Sequence, residues 1–262
     1  MNPDRDAHRP HGVEEVELTT RDGVRLAADV HRPDGEPRAG IVLAHGLTGS
    51  RRGAGIVAQA RSLAGRGLLV VTYDGRGHGA SSGNSTVGVT EVHDLAAVVA
   101  HARRDTSGVV AVGASLGAVT ILEYALTDPQ LAGIVMVSTA TSWGTMLTPR
   151  GLGATALTQT RIGRAIARLG LGVRIEPDAG TGYWPTERIG EVGMPVAIVH
   201  GRDDPMVRPR AAVDLFDAAA DPRHLEIADG MGHSFGAGGV PAIDRAVAWV
   251  LATHRERPQR AT

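Results

Sequence analysis

Apolar and polar residues alternate along two stretches near the start of the chain. The first runs from Val13 to Thr20 and the second from Val24 to His31, with the turn-forming residues 21–23 between them. A period of two is typical of strands that have one buried face and one solvated face, and a short connection containing glycine joins antiparallel neighbours. The pattern therefore predicts an antiparallel hairpin.

After residue 40 the alternation gives way to short, continuous apolar runs that are separated by stretches with helical periodicity. The runs are 41–44, 68–73, 108–112, 133–137, 195–199 and 224–227, and the helical stretches are 54–64, 91–103, 118–126, 211–220 and 240–254. Continuous apolar runs are typical of strands covered on both faces. This order predicts an α/β fold in which a mostly parallel, twisted sheet carries helices on both faces.

The alternation of strands and helices is interrupted once, between about residues 142 and 192. An amphipathic helix is predicted over 154–169, and the remainder is rich in proline and glycine. An insertion of this length between a strand and the next is typical of a small lid, although a surface excursion with no role in binding is the alternative. We expect one domain over 13–262 that contains this lid, preceded by a disordered lead-in at 1–12.

The amino-acid composition argues against several classes of function. The formal net charge is −1, which gives no electrostatic reason to expect nucleic acid or an anionic membrane as a partner. No apolar stretch is long enough to span a membrane, and the first residues lack the apolar core of a signal peptide. With no cysteine there is no thiolate metal site. We expect a cytoplasmic protein that acts on a small molecule; its oligomeric state is left open.

A serine between glycines, in Gly113-Ala114-Ser115-Leu116-Gly117, follows one apolar run and precedes a helical stretch. This G-x-S-x-G pattern at a strand-to-helix turn is typical of a nucleophile elbow, in which side chains at the glycine positions would collide. The same spacing occurs at 79–83, around Ser81, but polar loop residues lie on both sides of that match. Ser115 is therefore the candidate nucleophile.

A serine hydroxyl needs a base that takes its proton and an acid that orients the base. Asp203 and Asp204 follow the apolar run 195–199, and His233 follows the run 224–227. Because parallel strands end at the same edge of a sheet, these residues should lie near Ser115. The chain order of serine, acid and histidine is that of the α/β-hydrolase arrangement, and either aspartate could supply the acid.

From Val13 to His254 the chain resembles the α/β-hydrolase-fold serine hydrolases. The family acid commonly stands in G-x-x-D-x-x-V, which Gly201, Asp204 and Val207 match, and Asp203 is one residue out of register. The family histidine lies in a G-H-x-F-like loop, which residues 232–235 match. The resemblance thus implies that Asp204 is the acid and that His233 is the base.

Two backbone N–H groups should stabilise the oxyanion that forms during acyl transfer. One belongs to Leu116, directly after the nucleophile. The second is implied by the resemblance of residues 44–50 to the family's H-G-x loop, and it belongs to Leu47. The resemblance also makes His45 a residue that braces this loop, and it makes Asp74 and Ser81 parts of a structural D-x-R-G-x-G-x-S loop.

These residues predict a cofactor-independent serine esterase, with no metal site, that forms an acyl-enzyme on Ser115. The HGLTGS loop and the short lid resemble bacterial esterases of the cinnamoyl/feruloyl type. Ala114 and Leu116 stand where those esterases often carry polar residues, so an aliphatic acyl group is expected at least as much as an aromatic one. Thioester hydrolysis or acyl transfer in a biosynthetic pathway is the alternative enzyme function, and a catalytically silent binding protein on the same fold is the alternative outside enzymes.

Overall fold

A single eight-stranded sheet forms the centre of the molecule in a computed structural model that describes residues 12–180, 182–236 and 238–257. Its spatial order is β1-β2-β4-β3-β5-β6-β7-β8. The strands are β1 Val13–Thr19, β2 Arg25–His31, β3 Gly40–Ala44, β4 Leu69–Tyr73, β5 Val109–Ala114, β6 Gly133–Val137, β7 Val196–Gly201 and β8 Arg223–Ala228. The predicted α/β class is confirmed.

The first two strands form the predicted antiparallel hairpin, in which Val16 pairs with Ala28. β2 also pairs antiparallel with β4, whereas β3 to β8 are joined only by parallel ladders. Consequently, six strands point their carboxyl ends towards one edge of the sheet. The loops that leave β3, β5, β7 and β8 carry the candidate residues, so the topology gathers them there.

Helices cover both faces of the sheet, as predicted. They are α1 Ala54–Ala64, α2 Glu91–Ala102, α3 Leu116–Ala125, α4 Pro149–Gln159, α5 Arg161–Gly170, α6 Arg210–Ala218 and α7 Gly239–Glu256. Alternate residues of β3 divide between the two cores. Val42 packs in the core under α2, α3 and α6, and Ile41 packs in the core under α1 and α7. Both faces of a central strand are thus buried, which explains its continuous apolar run.

The segment between β6 and β7 contains α4, α5 and three short 3₁₀ turns at 143–146, 185–187 and 189–191. The single helix predicted over 154–169 is instead two helices that meet at Thr160. Thr160 has extended backbone angles, and its hydroxyl accepts a hydrogen bond from the Gly163 N–H at 2.8 Å, which caps α5. The apolar periodicity of 154–169 predicts one helix, but the cap that Thr160 provides begins a second helix there.

The single domain and the lid boundaries stay predictions. Of the expected lead-in at 1–12, residues 1–11 lie outside the described residues. None of the helices in the described part of the chain combines the length and apolar character required to cross a membrane.

The contact between α3 and the end of β3 depends on Gly117. A Cβ at this position would lie 2.3 Å from the carbonyl oxygen of Ala44, whereas a Cβ at Gly153 in α4 would meet nothing within 4 Å. We expect Gly117→Ala to lower the free energy of unfolding by about 1–3 kcal/mol through overpacking. Gly153→Ala, the matched helical control, should be neutral or should stabilise by up to about 1 kcal/mol. Urea unfolding measures both, and equal effects would contradict this packing argument.

Candidate active site

Ser115 sits at the sharp turn between β5 and α3. Its backbone angles are φ 53° and ψ −113°, in a region that non-glycine residues rarely adopt and that costs of order 1–3 kcal/mol. The turn is so tight that a Cβ on Gly113 would lie only 2.3 Å from the carbonyl oxygen of Gly117. The Ser115 N–H donates to the Val137 carbonyl oxygen at 2.9 Å, which ties the turn to β6. These contacts hold the serine at a cavity that it helps to line.

Asp204 and His233 are brought together from the loops after β7 and β8. The Nδ1 of His233 donates to Asp204 Oδ2 at 2.7 Å. The other carboxylate oxygen, Oδ1, accepts from the N–H groups of Met206 at 2.8 Å and Val207 at 2.9 Å. Because Nδ1 carries the shared proton, Nε2 is the histidine nitrogen that can act as a base. His233 lines the same cavity as Ser115.

The pKa of Asp204 reflects two opposing effects. Burial raises the pKa of the carboxyl, but the hydrogen bond and positive charge of His233 lower it, as do the N–H groups of Val207 and Met206. The net pKa lies below the usual range, so the group is ionised at neutral pH and accepts hydrogen bonds only.

The neighbouring Asp203 is turned away from His233. Its Oδ2 accepts a hydrogen bond from the Gly230 N–H at 3.1 Å, and its side chain is exposed. Of the two carboxylates that the sequence offers after β7, the structure brings Asp204 to the histidine.

The loop after β3 passes directly beside the serine. A Cβ on Gly46 would lie 3.3 Å from the Cβ of Ser115. Leu47, the next residue, lines the same cavity as Leu116. Leu116 is the first residue of α3, where amide groups have no partner within the helix. Two elements thus bring Leu47 and Leu116 to the cavity that Ser115 lines.

His45 holds this loop in place. Its Nδ1 donates to the Gly46 carbonyl oxygen at 2.8 Å, and its Nε2 accepts from the Gly75 N–H at 3.0 Å. Accepting at Nε2 requires the neutral ring. Burial, followed by the nearby charge of His78, lowers the pKa of His45 to about 4, which keeps the ring neutral. The geometry fits a bracing residue.

Ser81, in the second match to G-x-S-x-G, makes hydrogen bonds within a structural loop and to β2. Its buried hydroxyl donates to the Asp74 carbonyl oxygen at 2.6 Å and accepts from the Ala27 N–H at 3.0 Å. The Asp74 carboxylate in turn accepts from the N–H groups of Arg51 at 2.8 Å and Ala80 at 3.0 Å. These contacts join β2 to the loop after β4, so both residues have structural partners away from Ser115.

Two residues that the sequence did not single out support the site. The hydroxyl of Ser138, after β6, accepts from the Ser234 N–H at 3.1 Å and so anchors the loop of His233. His200, at the end of β7, has its Nε2 3.0 Å from the Val207 carbonyl oxygen and 3.4 Å from Asp204 Oδ2. Burial lowers the pKa of His200. Neither residue belongs to a sequence motif, so only the packing reveals them.

The cavity in front of Ser115 has a volume of about 760 Å³. Among the described residues that line it there is no aspartate, glutamate or arginine, and His233 and His45 are its only titratable groups besides Tyr183. The β6–β7 segment supplies one wall. The large apolar side chains of the lining are Leu47, Ile56, Val87, Leu116, Val119, Trp143, Met146, Trp184, Met206, Val207 and Phe235. The cavity is therefore suited to an uncharged, apolar group.

Residues 35–186, more than half of the chain, match the family model described as serine aminopeptidase, S33. The chain belongs to this family of serine hydrolases. The expected membership of the α/β hydrolases is thereby confirmed, and the matched region includes Leu47 and Ser115 but ends before Asp204.

Solved structures similar to this S33 serine hydrolase share its fold. The α/β hydrolase GrgF from Penicillium sp. sh18 is 17% identical with a TM-score of 0.72, covering 93% of this chain and 99% of that one. The Pyrococcus furiosus esterase Pf2001 is 18% identical with a TM-score of 0.69, covering 97% and 94%. Est1E from Butyrivibrio proteoclasticus, solved with ferulic acid, is 20% identical with a TM-score of 0.67, covering 92% and 100%. At these identities the similarity establishes the fold alone.

The two adjacent aspartates provide a matched pair of variants for this S33 hydrolase. We expect Asp204→Asn to reduce kcat by roughly 10³–10⁴, because an amide can present its NH₂ to Nδ1 and stabilise the wrong histidine tautomer. Asp203→Asn should leave kcat close to that of the wild type, since its exposed carboxylate accepts from the Gly230 N–H and does not meet His233. Steady-state kinetics on an activated ester compares them. A greater loss of kcat in Asp203→Asn would show that Asp203, and not Asp204, orients the histidine.

Proposed function

We propose that this protein is a serine esterase that cleaves a neutral carboxylic ester through an acyl-enzyme intermediate. The observation that carries the proposal is that one cavity is lined both by the strained Ser115 and by His233, which is hydrogen-bonded to Asp204. A strained nucleophile beside an oriented imidazole is the arrangement that acyl transfer requires.

In the first half of the reaction His233 Nε2 takes the proton of the Ser115 hydroxyl as Oγ attacks the acyl carbonyl. The negative charge that develops on the carbonyl oxygen is stabilised by the N–H groups of Leu47 and Leu116. Asp204 keeps the proton on Nδ1 and stabilises the imidazolium. The tetrahedral intermediate collapses when the ester C–O bond breaks and His233 returns its proton to the departing alkoxide, which leaves as the alcohol.

In the second half a water molecule replaces the alcohol. His233 takes a proton from the water as its oxygen attacks the acyl-enzyme, and the same N–H groups stabilise the second oxyanion. Breakdown of this intermediate releases the carboxylic acid and returns the proton to Ser115. Each proton transfer uses Nε2 of one histidine, because Nδ1 stays bonded to Asp204 throughout.

The lining of the cavity supports an uncharged substrate. An aminopeptidase substrate carries an α-ammonium group, whose transfer into an apolar site is costly unless a carboxylate or several acceptors compensate it. The described lining provides no carboxylate. For this reason we assign an ester with an apolar acyl group, and not a peptide with a free amino terminus. Thioester hydrolysis or acyl transfer would use the same groups on a different leaving group or acceptor.

A fluorophosphonate probe tests the nucleophile. We expect stoichiometric labelling of the wild type, no labelling of Ser115→Ala, and loss of nearly all ester hydrolysis in that variant. Ser81→Ala, which removes the serine of the other G-x-S-x-G match, should still be labelled and should keep most of its activity. Mass spectrometry of the labelled peptide identifies the site. A folded wild type that resists labelling would support a silent binding protein instead.

A pair of esters with the same alcohol tests the substrate class. The first has a butanoyl acyl group, and the second has the same chain with an α-ammonium group. We expect kcat/KM to be at least about tenfold higher for the first, since the cavity does not compensate a buried cation. The matched thioester and an added alcohol acceptor, measured alongside, separate hydrolysis of esters from thioester hydrolysis and acyl transfer. A preference for the aminoacyl ester would overturn the assignment of a neutral substrate.

A further inference from the structure

The outer face of α5 is apolar and uncovered. Ile162, Ile166 and Leu169 recur at helical spacing on that face, and Ile162 and Leu169 are 76% and 87% exposed. Leu171, just after the helix, is half exposed as well. Of the eight large hydrophobic side chains that are exposed in the described part of the chain, seven belong to the β6–β7 segment. Scattered exposed apolar residues are normal on a protein surface, but this concentration in one segment is not.

The first part of this segment, residues 142–175, is basic. Between Ser142 and Ile175 there are five arginines and no acidic residue, although the whole chain has a formal charge of −1. Within the described structure, the guanidinium groups of Arg150, Arg161 and Arg168 make no hydrogen bond or ion pair. Arg164 and Arg174 donate to backbone carbonyl oxygens, so three of the five guanidinium groups are without a partner in the described structure. The low net charge of the chain therefore conceals a local concentration of positive charge.

The exposed face is distinct from the cavity but lies close to it. α4 supplies Thr155 and Thr158 to the cavity lining, whereas α5 contributes no residue. The two helices pack tightly, since a Cβ on Gly163 would lie 1.9 Å from the Ala156 carbonyl oxygen. A surface that contacts α5 would therefore be one helix away from the wall of the active-site cavity.

We propose that the α5 face, formed by Ile162, Ile166, Leu169 and Leu171 with Arg161 and Arg168, docks on an anionic lipid surface. An amphipathic helix with large aliphatic residues on one side and arginines on the other is the composition that lies in a membrane interface. The aliphatic side chains enter the boundary of the acyl chains, and the free guanidinium groups contact lipid phosphates. Docking is peripheral and reversible, because a helix of ten residues presents only one apolar stripe.

The positive charge of the α5 face favours an anionic lipid surface over a second copy of the chain as the binding partner. If two copies met through this face, their unpaired arginines would be brought together, and residues 142–175 contain no acidic residue to compensate them. The cavity in front of Ser115 takes no lining residue from α5, so it does not give this face a concave site for a protein partner. A fluid lipid surface needs no complementary shape, whereas a protein partner does.

Cosedimentation with lipid vesicles tests the proposal on the full-length protein. The vesicles are phosphatidylcholine with and without roughly one-third phosphatidylglycerol, at low and high ionic strength. The test variants are Ile162→Gln with Leu169→Gln, and Arg161→Gln with Arg168→Gln. The matched control is Val89→Gln with Arg104→Gln, which removes an exposed apolar residue and an exposed arginine elsewhere on the surface.

We expect the wild type and the control to bind only the anionic vesicles and to be released by salt. Each test variant should bind at least about tenfold more weakly. Hydrolysis of a short, water-soluble ester should be unchanged, since these side chains do not line the cavity. Ser115→Ala should bind vesicles like the wild type, so docking is measured independently of the proposed catalysis.

Three results would overturn the proposal. The first is that the wild type sediments no more with anionic vesicles than without vesicles, as expected if the face binds an acidic protein instead. The second is equal binding to vesicles without phosphatidylglycerol. The third is a dimer in light scattering without lipid that both test variants abolish, which would make the face an interface between copies of this chain.

Discussion

Backbone segments meet around Ser115 at distances that leave no room for side chains. A Cβ at Gly117 would lie 2.3 Å from the Ala44 carbonyl oxygen, and one at Gly113 would lie 2.3 Å from Gly117 itself. Because these positions are glycine, α3 can begin against the end of β3 and the serine can hold its left-handed backbone angles. The same approach places the loop of Gly46 and Leu47 beside the nucleophile. The geometry around Ser115, on which the proposed acyl transfer rests, thus depends on steric exclusion in the backbone.

Asp204 and His233, the proposed acid and base, are positioned by a second set of contacts at the same sheet edge. Asp204 is fixed by two backbone N–H groups, and the loop of His233 is anchored by Ser138 and by close packing of Phe235 on Gly55. The support of Asp204 comes from its own loop, whereas the His233 loop is supported by Ser138, just after β6, and by Gly55 in α1. If these side chains act as proposed, such supports reduce the reorganisation that the reaction requires and so favour the transition state.

The two faces of the β6–β7 segment have different environments. Its inner side lines a cavity without charged residues other than histidine, and its outer side presents arginines and aliphatic side chains to solvent. Under the proposed function the substrates are apolar esters, which gather at lipid surfaces, and a segment with both faces would link such a surface to the cavity. Net charge, as an average over the chain, cannot report this asymmetry.

The sequence by itself determined the α/β class, the hairpin and most helix bounds, because hydrophobic periodicity reports burial directly. It also determined which serine is at a strand-to-helix turn, since local context separated Ser115 from Ser81. The residue pattern after β7 left Asp203 and Asp204 open, and the family resemblance favoured Asp204, which is the carboxylate that meets His233. Only the tertiary structure decided that Thr160 divides the predicted helix at 154–169 and that Ser138 and His200 support the site. Local patterns specify secondary structure, whereas hydrogen bonds between residues far apart in sequence depend on the packing of the whole sheet.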